Sequence, residues 1–247
     1  MNTVVVIPCR YASSRFNGKP LAEINGKPMI QMVYERSKRA AHVSEVYVAT
    51  DDARIYNVVA GFGGKVVMTG TDLRTGTDRV ADTAEKLNLK EDDVIVNVQG
   101  DQPLINPESL EDVLNPFIDD PAVYMCTLAF KIVDPRELTD PKDVKVTMDK
   151  NGYALYFSRS TIPYDRDGDE NHNVYKHLGV YAYTKRFLEI FRNLPEGELE
   201  RIEKLEQLRV LENGYRVKVV KTRHDSPEVD VPEDISRIRE KIARASI

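Results

Sequence analysis

Residues 4–21 read VVVIPCRYASSRFNGKPL, and this stretch decides the fold class. Its β-branched beginning, residues 4–7, is typical of a buried strand. The loop that follows carries three cations, Arg10, Arg15 and Lys19, and two serine hydroxyls. Because ligands bind at the carboxyl ends of the strands in an open α/β sheet, we expect this loop to line a binding site. A solvated basic loop would have the same composition and is the alternative.

The first half of the chain alternates between strand patterns and helix patterns. Short apolar runs predict three more buried strands, at residues 45–49, 65–68 and 94–98. Helices are predicted at 28–41, from Asp51 or Asp52 to the glycines at 61, 63 and 64, and after Thr77. This alternation is typical of an α/β fold, a mostly parallel sheet flanked by helices.

The pattern changes after Pro107, where strands are predicted with little helix between them. These strands lie at residues 124–130, 144–148, 153–157 and 176–183, around a polar loop at 165–173. The segment from about 130 to 183 is therefore interpreted as a β-rich insertion. The last third predicts helices at 185–192 and 199–213, a strand at 216–221 and a helix after Pro232. A length of 247 residues suits one domain with such an elaboration.

The composition argues against several classes of protein. Hydrophobic residues make up 41% and charged residues 30%, which is ordinary for a globular protein. A net charge of -5 argues against a nucleic-acid binder, which needs a basic surface. The apolar start is too short for a signal peptide or a membrane span, so we expect a cytoplasmic protein with no membrane partner. Cys9 and Cys126 form no CxxC pair, which indicates neither disulfides nor structural zinc.

The basic loop also carries a motif. Residues 10–21 fit the pattern R-x-x-S-x-R-x-x-G-K-P-L, which lacks the spacing of a Walker loop. The pattern resembles the signature of sugar nucleotidyltransferases, in particular of the 3-deoxy-manno-octulosonate cytidylyltransferases. Segments similar to that family follow in the same order, at residues 48–51, 75–79, 96–101, 156–159, 177–181, 203–209 and 229–234. The resemblance spans nearly the whole chain. It implies a single Rossmann-like nucleotidyltransferase domain over 1–247, with the insertion forming a homodimer interface.

The resemblance also implies a reaction. CMP would pass from CTP to the acidic eight-carbon sugar 3-deoxy-manno-octulosonate, with release of pyrophosphate, to activate the sugar for lipopolysaccharide synthesis. The anomeric hydroxyl would attack the α-phosphorus, Mg²⁺ would be the cofactor, and positioning and electrostatics would supply most of the rate.

Two carboxylates are the metal ligands that the resemblance implies, Asp101 and Asp230. Mg²⁺ typically takes one or two protein carboxylates, with phosphates and waters completing its shell. Each residue has another interpretation. Asp101 follows a predicted strand, where an Asp often caps a helix or lies in a turn. Asp230 precedes Pro232, so it also fits the start of a helix.

The nucleotide is assigned mainly to the basic loop. The resemblance implies that Arg10, Arg15 and Lys19 hold the triphosphate and, with Asp101, form the catalytic group. Further nucleotide-binding residues are Ser13, Thr75, Arg79 and Gln99. The stretch 75–79 opens a predicted helix, where backbone amides and the helix dipole favour an anion. A surface ion pair is the alternative for Arg79.

By the same resemblance, the sugar end of the site consists of Gln99, Arg159, His177, Tyr181, Glu206 and Gln207. Arg159 and His177 are assigned to the sugar carboxylate, because an anionic group needs cationic partners. Structural alternatives remain for three residues. His177 fits a half-buried strand position, Tyr181 a core aromatic, and Glu206 a helix-face charge paired with Arg209.

Several positions depart from the family pattern. Cys9 and Asn17 stand where Ala and Pro are common, and Gln102 stands where Glu is usual. Gln102, the short loop 165–173 and the segment 138–141 also resemble the branch that uses the 8-amino-3,8-dideoxy sugar. Four loop acids could accept its ammonium group or merely keep the loop soluble: Asp165, Asp167, Asp169 and Glu170.

Two further functions are compatible with the first motif. One is a CMP-nonulosonic acid synthetase, against which the match at residues 203–209 argues. The other is a non-catalytic sugar-nucleotide sensor, against which the intact Lys19, Asp101 and Asp230 argue.

Overall fold

The computed structural model describes residues 2–13, 15–73, 75–168 and 172–245. Over this part of the chain, nine strands form one sheet. In chain order they are β1 Thr3–Cys9, β4 Glu45–Thr50, β5 Lys65–Met68, β6 Val94–Asn97, β7 Met125–Lys131, β8 Lys145–Met148, β9 Ala154–Ser158, β10 Tyr175–Thr184 and β11 Lys218–Thr222. A separate two-stranded hairpin, β2 Glu23–Ile24 and β3 Lys27–Pro28, precedes the first helix.

The sheet is ordered β11-β7-β10-β6-β1-β4-β5. The pairs β6–β1, β1–β4, β4–β5 and β11–β7 are parallel, while β10 is antiparallel to both β6 and β7. Strands β8 and β9 pair with each other and join the sheet through β10. The predicted α/β fold with a mostly parallel sheet is confirmed.

The helices are α1 Met29–Ser37, α2 Ala53–Gly61, α3 Gly76–Lys86, α4 Pro107–Asp119, α5 Arg136–Thr139, α6 Lys185–Asn193, α7 Glu198–Glu203, α8 Leu208–Glu212 and α9 Asp234–Ala245. A short 3₁₀ turn covers Lys19–Leu21. Asp52 and Thr75 cap α2 and α3 by accepting main-chain hydrogen bonds, as expected of short polar residues at N-caps. No helix of the described residues is long and apolar enough to cross a membrane.

Alternate residues of β1 point to opposite faces of the sheet and enter two different cores. Val5 and Ile7 belong to a cluster with side chains of α1, α2 and α4. Val4 and Val6 belong to a second cluster with side chains of α3, α6 and α8. The sheet is thus covered on both faces. This explains why its strands read as continuous apolar runs in the sequence.

The strands predicted after residue 107 do have little helix between them, since in the described residues only the short α5 lies among them. Helix α4, which precedes these strands, was not predicted, although Asn106 caps it, Pro107 starts it, and Leu110 and Val113 begin its apolar face. One prediction about helices is wrong. The predicted helix 199–213 is two short helices, because Lys204 takes a left-handed conformation at a φ of 55° and ends α7.

The predicted insertion does not form a separate layer. Its strand β10 lies in the middle of the main sheet, and β8 and β9 extend the sheet from it. The domain bounds of 1–247 stay a prediction. The role of the insertion in dimerisation also stays a prediction.

Candidate active site

The basic loop after β1 is closed by a turn at Gly18. This residue has a φ of 72°, and its N–H donates to the Tyr11 carbonyl at 2.9 Å. A Cβ at this position would lie 3.2 Å from the Tyr11 ring, so both the conformation and the close contact favour glycine. The turn returns the chain so that Arg15 and Lys19 face the carboxyl end of β6.

Lys19 lies between the two predicted metal ligands. Its Nζ is 2.6 Å from Asp101 Oδ2 and 3.8 Å from Asp230 Oδ1, and Arg15 Nη2 is 3.0 Å from the same Asp230 oxygen. The Val229 N–H donates to the Asp101 carbonyl at 2.9 Å, which ties together the two segments that carry the carboxylates. Residues separated by 129 positions thus meet around one ammonium group.

This arrangement fits a hard divalent cation. Asp101 Oδ1 is buried and has no hydrogen-bond partner among the described residues, and Asp230 Oδ1 faces the same ammonium as Asp101 Oδ2. Two carboxylates with a free oxygen are ligands that Mg²⁺ accepts. Asp234 Oδ2 accepts the N–H groups of Asp230 and Val231, so Asp234, and not Asp230, holds the turn before α9.

A third carboxylate beside this pair was not predicted from the sequence. Glu228 lines a cleft and is open to it, yet protein surrounds the carboxyl on most sides. This desolvation, with the negative charges of Asp101 and Asp230, raises the pKa of Glu228 above its ordinary value. A lone Glu in a polar turn carries no sequence pattern, so only the tertiary contact reveals it.

Three other residues predicted to bind the nucleotide form hydrogen bonds within the protein. Arg10 Nη2 donates to the Leu73 carbonyl, and Ser13 Oγ accepts the Phe16 N–H at 3.4 Å. Thr75 Oγ1 accepts the Asp78 N–H at 3.1 Å and so caps α3. Of these contacts, the one from Arg10 holds the loop after β1 beside the loop after β5.

Arg79 is buried and paired, not on the surface. Its guanidinium is 2.7 Å from Asp51 and also donates to Thr69 and to the Gly70 carbonyl. The side chain is 1% exposed. Arg79 does form an ion pair, but the pair is buried and not at the surface, as the alternative had it. The guanidinium holds the segment after β5 to α3. Direct contact between Arg79 and a nucleotide stays a prediction.

Gln99 contacts a bulge in β10 that begins after His177. Gly179, with a φ of 63°, lies where the register of β10 against β7 shifts, and its carbonyl accepts Gln99 Nε2 at 3.2 Å. His177 Nε2 is 2.8 Å from Thr127 Oγ1, which itself donates to the Val180 carbonyl. The hydroxyl therefore accepts from His177 Nε2–H.

His177 is neutral in this environment. Burial lowers the pKa of its imidazole to about 3. Its assignment as a cation for the sugar carboxylate therefore conflicts with the structure, and Nδ1 is left as an acceptor. Tyr181 packs between His177 and Tyr183 and is partly buried, and desolvation raises the pKa of its phenol. Its contact with the sugar stays a prediction.

Arg159 binds main-chain carbonyls. Its Nε donates to Glu203 O at 2.7 Å and its Nη1 to Pro141 O at 2.8 Å. It thereby joins the segment before β8 to the end of α7. The side chain keeps partial exposure, so contact with the sugar carboxylate stays a prediction.

The last two predicted sugar residues lie at the other end of the site. Glu206 accepts Thr77 Oγ1 at 2.7 Å, and burial raises the pKa of its carboxyl. Arg209, its expected partner, is 3.9 Å away and instead forms two hydrogen bonds with Glu200. Gln207 is 3% exposed, and its Nε2 has no hydrogen-bond partner in the described part of the chain. Contact of either side chain with the sugar stays a prediction.

The loop acids lie apart from this cleft. Asp165 is 3.5 Å from His172 and accepts the Gly168 N–H, and Asp167 is exposed. Neither residue lines the cleft beside Glu228. Asp169 and Glu170 fall outside the described residues.

Known proteins resemble this chain over most of its length. A family model described as cytidylyltransferase matches residues 4–224. The 3-deoxy-manno-octulosonate cytidylyltransferase of Desulfatibacillum aliphaticivorans is 60% identical over 96% of this chain and 97% of its own length. The 8-amino-3,8-dideoxy-manno-octulosonate cytidylyltransferase of Shewanella baltica is 56% identical over 98% and 99%.

Solved structures are similar over the full length. A CMP:2-keto-3-deoxy-manno-octonic acid synthetase complexed with CTP is 43% identical, with a TM-score of 0.93, over 99% of this chain and all of that chain. A 4-diphosphocytidyl-2C-methyl-D-erythritol synthase, at 16% identity and a TM-score of 0.66, shares the fold. The shared architecture and the full-length sequence match show that the chain belongs to the cytidylyltransferase family.

Proposed function

We propose that the protein transfers CMP from CTP to 3-deoxy-manno-octulosonate, releasing pyrophosphate and activating the sugar for lipopolysaccharide synthesis. The observation that carries this proposal is the cluster of Lys19, Asp101 and Asp230 at the carboxyl ends of the central strands. It occurs in a chain 60% identical to a protein named for this activity.

The reaction forms a bond between the anomeric oxygen and the α-phosphorus, and breaks the bond from that phosphorus to pyrophosphate. Arg10, Arg15 and Lys19 supply positive charge for the triphosphate as it becomes pyrophosphate. Lys19 and Arg15 bind the carboxylates of Asp101 and Asp230 in this structure, and a metal ion held by those carboxylates would free both cations for phosphate oxygens. The hydroxyl proton passes to solvent or to a nearby carboxylate.

The cofactor that we propose is Mg²⁺, held by Asp101 and Asp230. When bound, it neutralises charge on the phosphates and lowers the pKa of the attacking hydroxyl. The protein's own contribution is to hold both carboxylates at one point, through the hydrogen bond from Val229 to Asp101 and the Asp234 turn.

We also propose a cytoplasmic homodimer that binds neither nucleic acid nor membrane. Two large side chains support an interface in the segment 130–183, since Leu155 is 63% and Tyr164 86% exposed. A dimer mass by light scattering at micromolar concentration would support the interface, and a monomer mass would contradict it.

The 8-amino-3,8-dideoxy sugar is the second candidate substrate, since a relative named for it is 56% identical. Pyrophosphate release, measured with CTP, Mg²⁺ and a panel of acidic sugars, tests both. We expect release with octulosonates and little with nonulosonic acids. Pyrophosphate release with nonulosonic acids alone would support a CMP-nonulosonic acid synthetase. If no sugar of the panel gives pyrophosphate release, a non-catalytic sensor is favoured.

A further inference from the structure

A cleft of about 400 Å³ adjoins the candidate site on the side of β10. His177 and Leu178 line one wall of the cleft, and Ser226, Glu228 and Asp230 line another. Because Asp230 belongs both to this cleft and to the cluster around Lys19, a substrate that reacts beside Asp230 can extend into the cleft.

The Glu228 carboxylate differs from most of the acids that line the cleft, Asp140 excepted. Asp230 is paired with Arg15, and both Glu137 and Asp225 are paired with Lys176, at 2.7 and 3.1 Å. Glu228, in contrast, has no cation within 4.0 Å among the described residues. Its Oε1 accepts a hydrogen bond from Gln102 Nε2 at 3.3 Å. Its carboxyl group therefore faces the cleft with no cation of the described residues in direct contact.

Two further side chains indicate that the cleft receives a polar ligand. Ser226 is 5% exposed and lines the cleft, and its Oγ has no hydrogen-bond partner in the described part of the chain. Gln102 is fully buried and donates both to the Leu178 carbonyl, at 2.6 Å, and to Glu228. Buried polar groups are normally paired, so the free hydroxyl of Ser226 is left for a ligand. Gln102 holds Glu228 from behind, in the cleft wall.

We propose that this cleft takes the distal end of the eight-carbon sugar, and that Glu228 accepts an ammonium group there. The protein would then use the 8-amino-3,8-dideoxy sugar in preference to the 8-hydroxy sugar. This inference rests on the proposed function. An ammonium group gives Glu228 a charge-assisted hydrogen bond and a counterion, whereas a hydroxyl gives only a neutral donor.

The sequence alone offered the acids of the loop 165–173 as candidate acceptors, with loop solubility as their alternative role, and the present assignment differs from that. Asp165 and Asp167 do not line the cleft, whereas Glu228 lies two residues from Asp230. Glu228, the proposed acceptor, thus lies next to the reaction centre, because it belongs to the same segment as Asp230, a predicted metal ligand.

Competition between the two sugars in one reaction tests the proposal. The full-length protein is incubated with CTP, Mg²⁺ and equal amounts of the 8-hydroxy and 8-amino sugars, and the two CMP-sugars are quantified by mass spectrometry. Their ratio reports the ratio of the specificity constants. We expect the amino product to dominate, and Glu228→Gln to lower the amino-to-hydroxy ratio by about tenfold or more.

Three other variants sharpen the result. Glu228→Asp keeps the charge at shorter reach and should give an intermediate ratio. Asp134→Asn removes a carboxylate from the same cleft that is already paired with Arg136, so the ratio should stay at the wild-type value. Asp140→Asn tests another cleft acid, whose Oδ1 accepts the Lys142 N–H.

Several results would overturn the inference. One is a wild-type preference for the hydroxy sugar. Another is an amino-to-hydroxy ratio that Glu228→Gln leaves unchanged while the melting temperature matches wild type. A third is a ratio that falls with Asp140→Asn instead. Formation of neither CMP-sugar would contradict the proposed function itself. That failure is distinct, because no ratio could then be measured.

Discussion

The two sides of the candidate site hold their polar side chains differently. On the nucleotide side, Arg15 and Lys19 are paired with partly exposed carboxylates, at 3.0 and 2.6 Å. Phosphates can replace these ionic contacts directly. On the sugar side, His177 is neutral and bonded to Thr127, and Arg159 binds main-chain carbonyls. The comparison teaches that a motif residue can serve the scaffold, even where its chemistry suits a ligand.

The largest effect should come from the carboxylates on the nucleotide side. We expect Asp101→Asn and Asp230→Asn each to reduce kcat/KM by about 1,000-fold or more, because a neutral amide is a poor ligand for a hard cation. Pyrophosphate release at several Mg²⁺ concentrations measures the loss. Asp92→Asn, at a side chain 91% exposed, is the matched control and should keep wild-type activity. Full activity of either variant at ordinary Mg²⁺ would remove that residue from the metal site.

Arg79 tests whether a motif residue on the nucleotide side belongs to the scaffold. Arg79→Met leaves the Asp51 carboxylate without its buried partner, so we expect the free energy of unfolding to fall by about 3 kcal/mol in urea titrations. Arg136→Met breaks an exposed pair with Asp134 and should cost less than about 1 kcal/mol. Unchanged stability with a raised KM for CTP would instead place Arg79 on the nucleotide.

His177 gives the sugar side a dependence on pH. Its pKa is about 3 in the folded protein, against an ordinary value near 6.5, so below pH 6.5 the unfolded chain binds a proton that the folded protein does not. Stability from this residue is therefore complete above pH 6.5 and is lost as the pH falls towards 3. Between pH 7 and pH 5 we expect wild type to lose about 2 kcal/mol more than His177→Gln.

Urea titrations of both proteins at the two pH values measure this difference. Equal losses would show that His177 titrates normally and can act as a cation towards the sugar.

The smallest effect concerns the contact that supports Asp101. A Cβ at Gly100 would lie 2.6 Å from Cys9 Sγ, so Gly100→Ala should lower the free energy of unfolding by about 1–2 kcal/mol. Removing the sulfur in the Gly100→Ala, Cys9→Ala double variant should restore part of the loss, relative to Cys9→Ala alone. Additive effects in this double-mutant cycle would show that the two residues do not collide.

Local patterns were enough to predict much of the fold. The β-branched runs of β1, β4, β5 and β6 predicted strands because both faces of the sheet are covered, which requires apolar residues at every position. Helix α4 could have been predicted from Asn106, Pro107 and its apolar spacing, because all three signals are local. The break at Lys204 depends on a left-handed residue that no propensity favours.

By itself, the sequence determined the α/β fold class and the family motifs, because strand periodicity and a cation-rich loop are local properties of the chain. Tertiary structure alone decided which side chains meet. Lys19 reaches two carboxylates 129 residues apart, Arg79 is buried against Asp51, and Glu228 faces the cleft with no cation from the described part of the chain in direct contact. These properties depend on desolvation and on distances between remote segments, and neither is encoded in the spacing of residues along the chain.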